Sequence, residues 1–217
     1  MSAPSGSGKT TLARYLISVQ KLNFKFSVSA TTRKKRDHEI NGKDYFFFST
    51  EEFKNSIENQ DFIEYEKVYE NMYYGTLKSE LNNLIVNHNI VFDVDVLGAI
   101  SLKNYFKSLA ISIFIKPPSI DVLEKRLIDR KKNDPSEIKE RVRKAEIEMK
   151  KEADFDTVII NENLDVAKQE LIYKVENFLK WKLAYSLDKS IFFVILEYLK
   201  FASRKIYLSG TFLINKF

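Results

Sequence analysis

The chain has 217 residues, 44% of them hydrophobic, which is enough for one sizeable core and is typical of a globular rather than a disordered protein. It contains no cysteine, which excludes disulfides and thiolate metal sites and favours the reducing cytoplasm. The net charge of +5 comes from residues 180–217, since residues 1–179 carry 28 bases and 28 acids. The main body therefore lacks the basic footprint of a nucleic-acid-binding protein.

Short apolar strands alternate with helical patterns along the chain, which predicts an α/β domain with a parallel sheet. The first elements are a helix at 9–20, a strand at 24–29 and, after an Asn-Gly turn at 41–42, a small antiparallel hairpin that ends in a strand at 45–48. A capping box of Ser49 with Glu52 opens a helix to about residue 59. The remaining predicted elements are a strand at 62–68, a helix at 77–87, a strand at 90–94, a helix after Gly98, a strand at 110–115, helices at 120–130 and 135–152, a strand at 157–160 and a helix at 165–179.

Residues 3–10, with the sequence Ala-Pro-Ser-Gly-Ser-Gly-Lys-Thr, have the spacing of a loop that cradles nucleotide phosphates. Backbone amides of such a loop point inward, and the helix that follows adds its positive N-terminal end. Lys9 can reach the β- and γ-phosphates, and the Thr10 hydroxyl can ligate the magnesium ion of a nucleoside triphosphate. Ala3 stands where the general pattern has Gly, which is a mild departure because Ala is the next smallest residue. The predicted ATP site comprises Ala3, Pro4, Ser5, Gly6, Ser7, Gly8, Lys9, Thr10 and Thr11.

Five further blocks follow the phosphate loop: residues 26–33 with Arg36, then 41–47, 62–65, 73–76 and 93–98. In this order and spacing, the blocks closely resemble guanylate kinase, a nucleoside monophosphate kinase of the phosphate-loop class, from residue 2 to about 179. The resemblance implies a central parallel sheet flanked by helices, an inserted GMP-binding lobe (about 31–89) with a small antiparallel sheet, and a helical lid (about 130–146). The implied reaction transfers the γ-phosphoryl group of ATP to GMP, and its cofactor is Mg²⁺ bound with ATP.

The resemblance also implies a GMP pocket. Arginine forks suit a nucleotide monophosphate, and Glu64 can accept from the adjacent N–H donors of guanine, a pair that adenine lacks. Asp93 and Asp95 follow a strand at the edge of the sheet where α/β proteins bind ligands, and their individual roles stay open. The implied GMP-binding residues are Ser29, Arg33, Arg36, Tyr45, Glu64, Tyr74, Thr76 and Asp95.

Arginines of the stretch 126–143 fall where lid arginines of the family reach the ATP phosphates. Arg130 and Arg141 match best, and Arg126 and Arg143 are weaker candidates. The resemblance thus implies the catalytic residues Lys9, Arg33, Arg130 and Arg141, and the metal ligands Thr10 and Asp93. The expected partners are ATP and GMP, with no nucleic acid and no transmembrane segment.

Both ends of the chain depart from the family pattern. An apolar strand should precede the phosphate loop, but only Met1 precedes Ser2, so the first core strand is apparently missing. Residues 180–217 form an extension of unknown role, and one hypothesis is that its segment 205–208 or 211–214 supplies that strand.

Two alternatives stay open at this stage. One is a catalytically inactive or truncated guanylate-kinase-like interaction module, which the intact sequence at 6–10 disfavours. The other is a related kinase with a different phosphate acceptor, which Glu64, Ser29 and Thr76 disfavour.

Overall fold

The computed structural model describes residues 1–69, 72–129 and 135–182. Residues 1–173 form one compact unit, and the rest of the described chain, 174–182, is helical and belongs to a second unit. Within these described ranges, no helix is long and apolar enough to cross a membrane. Apart from residues 180–182, the predicted C-terminal extension lies outside the described residues, and so do 205–208 and 211–214.

The elements of the first unit alternate as the sequence predicts. The helices are α1 (Lys9–Ser18), α2 (Thr50–Glu58), α3 (Lys78–Leu84), α4 (Val96–Phe106), α5 (Ile120–Asp129), α6 (Pro135–Met149) and α7 (164–173). The strands are β1 (Phe24–Phe26), β2 (Ala30–Thr31), β3 (Phe46–Phe47), β4 (Phe62–Tyr69), β5 (Met72–Leu77), β6 (Asn89–Val91), β7 (Ile113–Lys116) and β8 (Thr157–Ile160).

Two parallel strand pairs form the centre of the fold. β1 pairs with β6, and β7 pairs with β8. Ser2 adds to the second pair through a parallel bridge: its N–H donates to the carbonyl of Ile113 at 2.9 Å, and its carbonyl accepts from the N–H of Ile115 at 2.8 Å. The phosphate loop therefore starts directly from the edge of β7.

Met1 makes the corresponding bonds on the other side, beyond the end of β6. Its terminal amine donates to the carbonyl of Phe92 at 2.8 Å, and its carbonyl accepts from the N–H of Val94 at 3.4 Å. Burial, with the positive charge of Lys9 as a smaller cause, lowers the pKa of this amine to about 5. Met1 and Ser2 thus occupy the position between the two strand pairs where the sequence analysis found a strand missing, although they form no regular strand.

The second sheet, with the strand order β3-β2-β5-β4, is mixed. β5 is antiparallel to β2 and β4, as predicted for the lobe, but β3 runs parallel to β2. The predicted antiparallel hairpin at 41–48 is therefore wrong. Gly42 does make a turn, with φ of +76° and its N–H bonded to the carbonyl of Tyr45 at 2.8 Å. The strand after that turn then joins β2, because the N–H of Phe46 donates to the carbonyl of Ser29 at 2.9 Å.

Helix α2 covers one face of this small sheet. Its predicted capping box is confirmed, since Ser49 and Glu52 each accept a hydrogen bond from the other's backbone N–H. Phe53 of α2 is fully buried and stacks on Phe62 and Tyr73, with ring centroids 4.4 and 5.4 Å apart. This aromatic cluster fixes β4 and β5 side by side, and these strands carry several of the predicted GMP-binding residues.

The remaining predicted elements are confirmed with shifted ends. The predicted strand at 24–29 is shorter in the structure, because β1 ends at Phe26 and residues 27–29 lead from the central sheet to β2 of the small one. The helix predicted at 135–152 ends at Met149. Residues 130–134 of the predicted lid, and with them Arg130, lie outside the described residues.

Candidate nucleotide site

An open cavity of about 450 Å³ is lined by the phosphate loop, the small sheet and α6. It brings together residues of both predicted nucleotide sites: Ala3, Pro4, Ser5, Gly6, Gly8, Lys9, Thr10 and Thr11 from the ATP site; Ser29, Tyr45, Glu64, Tyr74 and Asp95 from the GMP site; and Asp93 and Arg141. Four predicted residues, Ser7, Arg33, Arg36 and Thr76, do not line this cavity.

The phosphate loop has the backbone that its glycines permit. Gly6 and Gly8 have φ of +97° and +89°, which other residues rarely adopt. Helix α1 begins directly after Gly8, and in the described chain no side chain caps it. The first N–H groups of α1 and its dipole therefore stay available for an anion such as a phosphate.

Asn161, which the sequence analysis missed, supports the phosphate loop through a hydrogen bond. It follows β8, is 5% exposed, and its side-chain amide donates to the carbonyl of Ser7 at 2.7 Å. A Cβ atom on Gly8 would lie only 2.3 Å from that amide nitrogen. Arg126, predicted as a weaker lid candidate, instead donates to the carbonyl of Asn161 at 2.9 Å. Both side chains therefore support the loop.

Lys9 lies between the loop and the end of β6. Its ammonium group is 2.7 Å from the carbonyl oxygen of Val94 and 2.6 Å from a carboxylate oxygen of Asp93. The Thr10 hydroxyl donates to the other oxygen of Asp93 at 3.3 Å. Thr10 and Asp93 thus present adjacent hard oxygen atoms, the donor type that Mg²⁺ takes together with substrate phosphates and water. The pair fits a divalent cation that enters with a nucleotide.

Glu64 lies in the part of the cavity formed by the small sheet. A register shift of β4 between Phe62 and Glu64 separates the two side chains, so that Phe62 packs against α2 and Glu64 lies beside α4. Glu64 is 8% exposed, and Thr76, directly opposite on β5, donates to its carboxylate at 2.5 Å. Burial raises the pKa of Glu64 to about 7, and the nearby charge of Asp95 adds to this, while the bond from Thr76 opposes it.

Of the two predicted arginines of the GMP site, neither lines the cavity, but Arg33 lies against one of its lining residues. The Arg33 guanidinium lies over the ring of Tyr45, 5.3 Å from its centroid, and donates to Glu39 at 2.6 Å. Glu39, another residue that the sequence analysis missed, also accepts from the backbone N–H of Arg36 at 2.8 Å. Arg36 itself is exposed. Glu39 thus fixes the loop that carries both arginines, and Arg33 is held against an aromatic residue that does line the cavity.

Helix α6 provides the third wall. Arg141 donates to the Ser5 hydroxyl of the phosphate loop at 3.1 Å. Lys144 and Glu148 lie on the same face of the helix, at i+3 and i+7 from Arg141, and also line the cavity. Arg143, the other weaker candidate, is exposed and does not line it. The lining residues that the sequence analysis missed are Glu66, Val68, Gly75, Val94, Lys144 and Glu148.

Three features define a phosphate-loop nucleotide kinase: a glycine loop at the edge of a parallel sheet, an inserted small-sheet lobe and a helix that reaches the loop. The guanylate kinase family model matches residues 1–179. The guanylate kinase of Bacteroides fragilis is 48% identical over 179 residues, 82% of this chain and 87% of that protein. That of Porphyromonas gingivalis is 44% identical over 180 residues, 82% of this chain and 96% of that one. A crystal structure of guanylate kinase from Anaplasma phagocytophilum superimposes with a TM-score of 0.60 at 28% identity, covering 83% of this chain and 82% of that one. The chain belongs to the guanylate kinase family.

Proposed function

We propose that the chain transfers the γ-phosphoryl group of ATP to GMP, yielding ADP and GDP. The observation that carries this proposal is that one cavity contains both the phosphate loop with Lys9 and, in the small-sheet lobe, the buried carboxylate of Glu64. The loop is built to bind the phosphates of the donor nucleotide. The carboxylate is an acceptor for a base that presents N–H donors.

Discrimination between purines follows from the acceptor chemistry of Glu64. Guanine presents two adjacent N–H donors on one edge, and an ionised carboxylate can accept from both. Adenine would place a ring nitrogen acceptor against the same carboxylate and leave a buried charge unpaired. Thr76 acts through Glu64, because its hydroxyl already donates to that carboxylate. Ser29, Tyr45, Tyr74 and Asp95 then complete the lining around the base and phosphate.

Phosphoryl transfer requires charge neutralisation and alignment more than covalent chemistry by the protein. A phosphate oxygen of GMP attacks the γ-phosphorus, the bond to the β–γ bridging oxygen breaks, and ADP leaves with that electron pair. Lys9 and Arg141 bring positive charge to the loop end of the cavity, where charge is redistributed during transfer. Mg²⁺ would be held by Thr10 and Asp93 and would neutralise phosphate charge.

Several finer assignments belong to this proposal. Arg33 and Arg36 would bind the GMP phosphate from the loop that Glu39 fixes, and Arg130, outside the described residues, would join Arg141 over the ATP phosphates. The proposal takes the lobe as about 31–89, the lid as about 130–146 and the extension as 180–217. The cysteine-free composition supports a cytoplasmic location.

Equilibrium binding tests the purine assignment directly. Titration calorimetry with GMP, IMP and AMP should give affinities that fall in that order. IMP keeps one of the two N–H donors of guanine, whereas AMP places a ring nitrogen acceptor against the carboxylate and does not present the donor pair. Each lost pairing with a charged acceptor costs about 1.5–3 kcal/mol, so IMP should bind roughly ten- to a hundredfold more weakly than GMP. Equal affinity for GMP and AMP would refute the role of Glu64.

Asn161→Ala is expected to impair the ATP site selectively. Loss of its bond to the Ser7 carbonyl removes the support of the loop backbone. The KM for ATP should therefore rise about tenfold, which corresponds to the free energy of one buried hydrogen bond. The KM for GMP should stay within twofold. Steady-state kinetics with each substrate varied in turn measures both constants, and Glu162→Ala, an exposed change in the same loop, is the control. Equal rises in both KM values would contradict a role confined to the loop.

Glu64 also makes the stability of the unliganded protein depend on pH. Its pKa is about 7 in the folded chain against an ordinary value of 4.5, so between these pH values the folded state binds more protons than the unfolded state. The free energy of unfolding should therefore fall as the pH rises from 4.5 to 7, by up to about 3 kcal/mol from this group. The free energy of unfolding of wild type and of Glu64→Gln should be measured with urea at pH 5 and at pH 8. The difference between the two proteins should change with pH. A difference that is independent of pH would contradict the assignment.

A further inference from the structure

Gly98, in the first turn of α4, lies between the carboxylates of two cavity residues. Its N–H donates to Asp95, the residue that caps α4, at 2.8 Å. A Cβ atom on Gly98 would lie 3.0 Å from an oxygen of Glu64 and 3.3 Å from an oxygen of Asp95. Both distances are shorter than ordinary van der Waals contact. Because Gly98 has no side chain, the carboxylates of Glu64 and Asp95 can both lie close to it.

Neither carboxylate is free to move away from such a Cβ. The second oxygen of Glu64 accepts from Thr76 at 2.5 Å, and Glu64 is 8% exposed. The Asp95 oxygen that faces Gly98 is the one that caps α4. Displacement of Glu64 would strain the Thr76 bond, and displacement of Asp95 would strain the helix cap.

The backbone gives no reason for glycine at this position. Gly98 is helical and does not have the positive φ of Gly6, Gly8 and Gly42. Alanine is a better helix former than glycine, so local helix stability alone would favour Ala. The selection of glycine is explained by the space beside Glu64.

We infer that Gly98 is a specificity-positioning residue, which lets Glu64 lie against the N-terminal turn of α4 in the orientation that accepts guanine. This inference rests on the proposed function and deepens it, because it assigns the placement of the guanine acceptor to a residue that touches no substrate itself. A shift of the Glu64 carboxylate by a few tenths of an ångström lengthens both of its bonds to the base. Because hydrogen bonds weaken steeply as their geometry departs from the optimum, guanine affinity should fall while the phosphate loop stays unchanged.

Gly98→Ala tests the inference. With kinetics measured for each substrate at saturation of the other, the KM for GMP should rise about tenfold or more, which corresponds to a loss of roughly one charged hydrogen bond. The KM for ATP should stay within twofold, and the urea midpoint should change little, because the higher helix propensity of alanine offsets the strain on the Thr76 bond and the helix cap. A merely structural role would instead lower the midpoint and raise both KM values. The matched control is Asn104→Ala, an exposed change on α4, which should alter neither KM.

A double-mutant cycle tests whether the effect acts through Glu64. Glu64→Asp shortens the carboxylate by one methylene and opens space at Gly98, so adding Gly98→Ala in that background should change the KM for GMP less than twofold. An unchanged KM for GMP in the single variant, or an equal effect in both backgrounds, would overturn the inference. Wild-type turnover separates this from the proposed function: no turnover of GMP by the wild type refutes the proposed function, whereas normal turnover with an unaffected Gly98→Ala variant refutes only the role of Gly98.

Discussion

Lys9→Met should lower kcat by about a hundred- to a thousandfold, the usual cost of losing one charge-stabilising group in a transition state. Methionine retains most of the volume of lysine but removes the ammonium group that lies 2.7 Å from Val94 and 2.6 Å from Asp93. The variant also leaves the Asp93 carboxylate without its cation and facing the phosphates. Both effects oppose the approach of a triphosphate.

The measurement is ADP release at saturating ATP and GMP, combined with circular dichroism to confirm that the variant is folded. Lys25→Met, an exposed lysine on β1, is the matched control and should retain the wild-type rate. A folded Lys9→Met variant that retains near-normal turnover would refute the assigned role of the loop.

Glu64→Gln should lower kcat/KM for GMP by at least about a hundredfold, with less effect on the KM for ATP. The amide that replaces the carboxylate turns one acceptor into a donor, which then faces an N–H donor of guanine, and the favourable charge is lost as well. Because the position is only 8% exposed, water cannot readily replace the missing bond. The same change removes the repulsion between the carboxylate and the acceptor nitrogen of adenine, so the preference for GMP over AMP should fall.

Kinetics with GMP and AMP, each at saturating ATP, measures this change in preference. Glu58→Gln, an exposed glutamate at the end of α2 in the same lobe, controls for the loss of a charge and should leave the preference unchanged. Retention of the wild-type preference by Glu64→Gln would mean that the base is selected by other residues.

The sequence predicted the parts of the site that depend on local spacing. The loop at 3–10 is one contiguous segment, so its geometry follows from its own glycines and from the helix behind it. Glu64 and Thr76 were named from family blocks, and the antiparallel register of β4 and β5 explains why they act as a pair. The sequence did not indicate that Thr76 is fully buried and reaches the cavity only through Glu64.

The features that were missed depend on partners far apart in the chain. Asn161 contacts Ser7 across 154 residues, and a lone Asn after a strand gives no local signal of that contact. The Asn-Gly turn at 41–42 was found, but its strand pairs with β2 and not across the turn, because long-range pairing with the Ser29 region overrides the local hairpin preference. The proposed role of Gly98 in α4 likewise depends on Glu64, which lies on β4 of the small sheet.

The centre of the sheet shows the same limit. No periodic pattern reveals that Met1 and Ser2 join the two parallel strand pairs, since two residues are too few to show a strand signal. Their bonds to Phe92, Val94, Ile113 and Ile115 become visible only when the chain after β6 and β7 lie on either side of them. These contacts place the start of the phosphate loop where a core strand would place it.

The most direct test of the proposed function is ADP release by the purified chain with ATP and Mg²⁺, with GMP, AMP, UMP and CMP offered separately. We expect turnover with GMP and little or none with the other three, because only guanine presents paired N–H donors to Glu64 while the loop around Lys9 binds the donor nucleotide. Comparable or faster turnover with another acceptor would contradict the assignment of Glu64. Absence of turnover with every acceptor, from a sample shown to be folded, would contradict the kinase assignment and favour a guanylate-kinase-like interaction module.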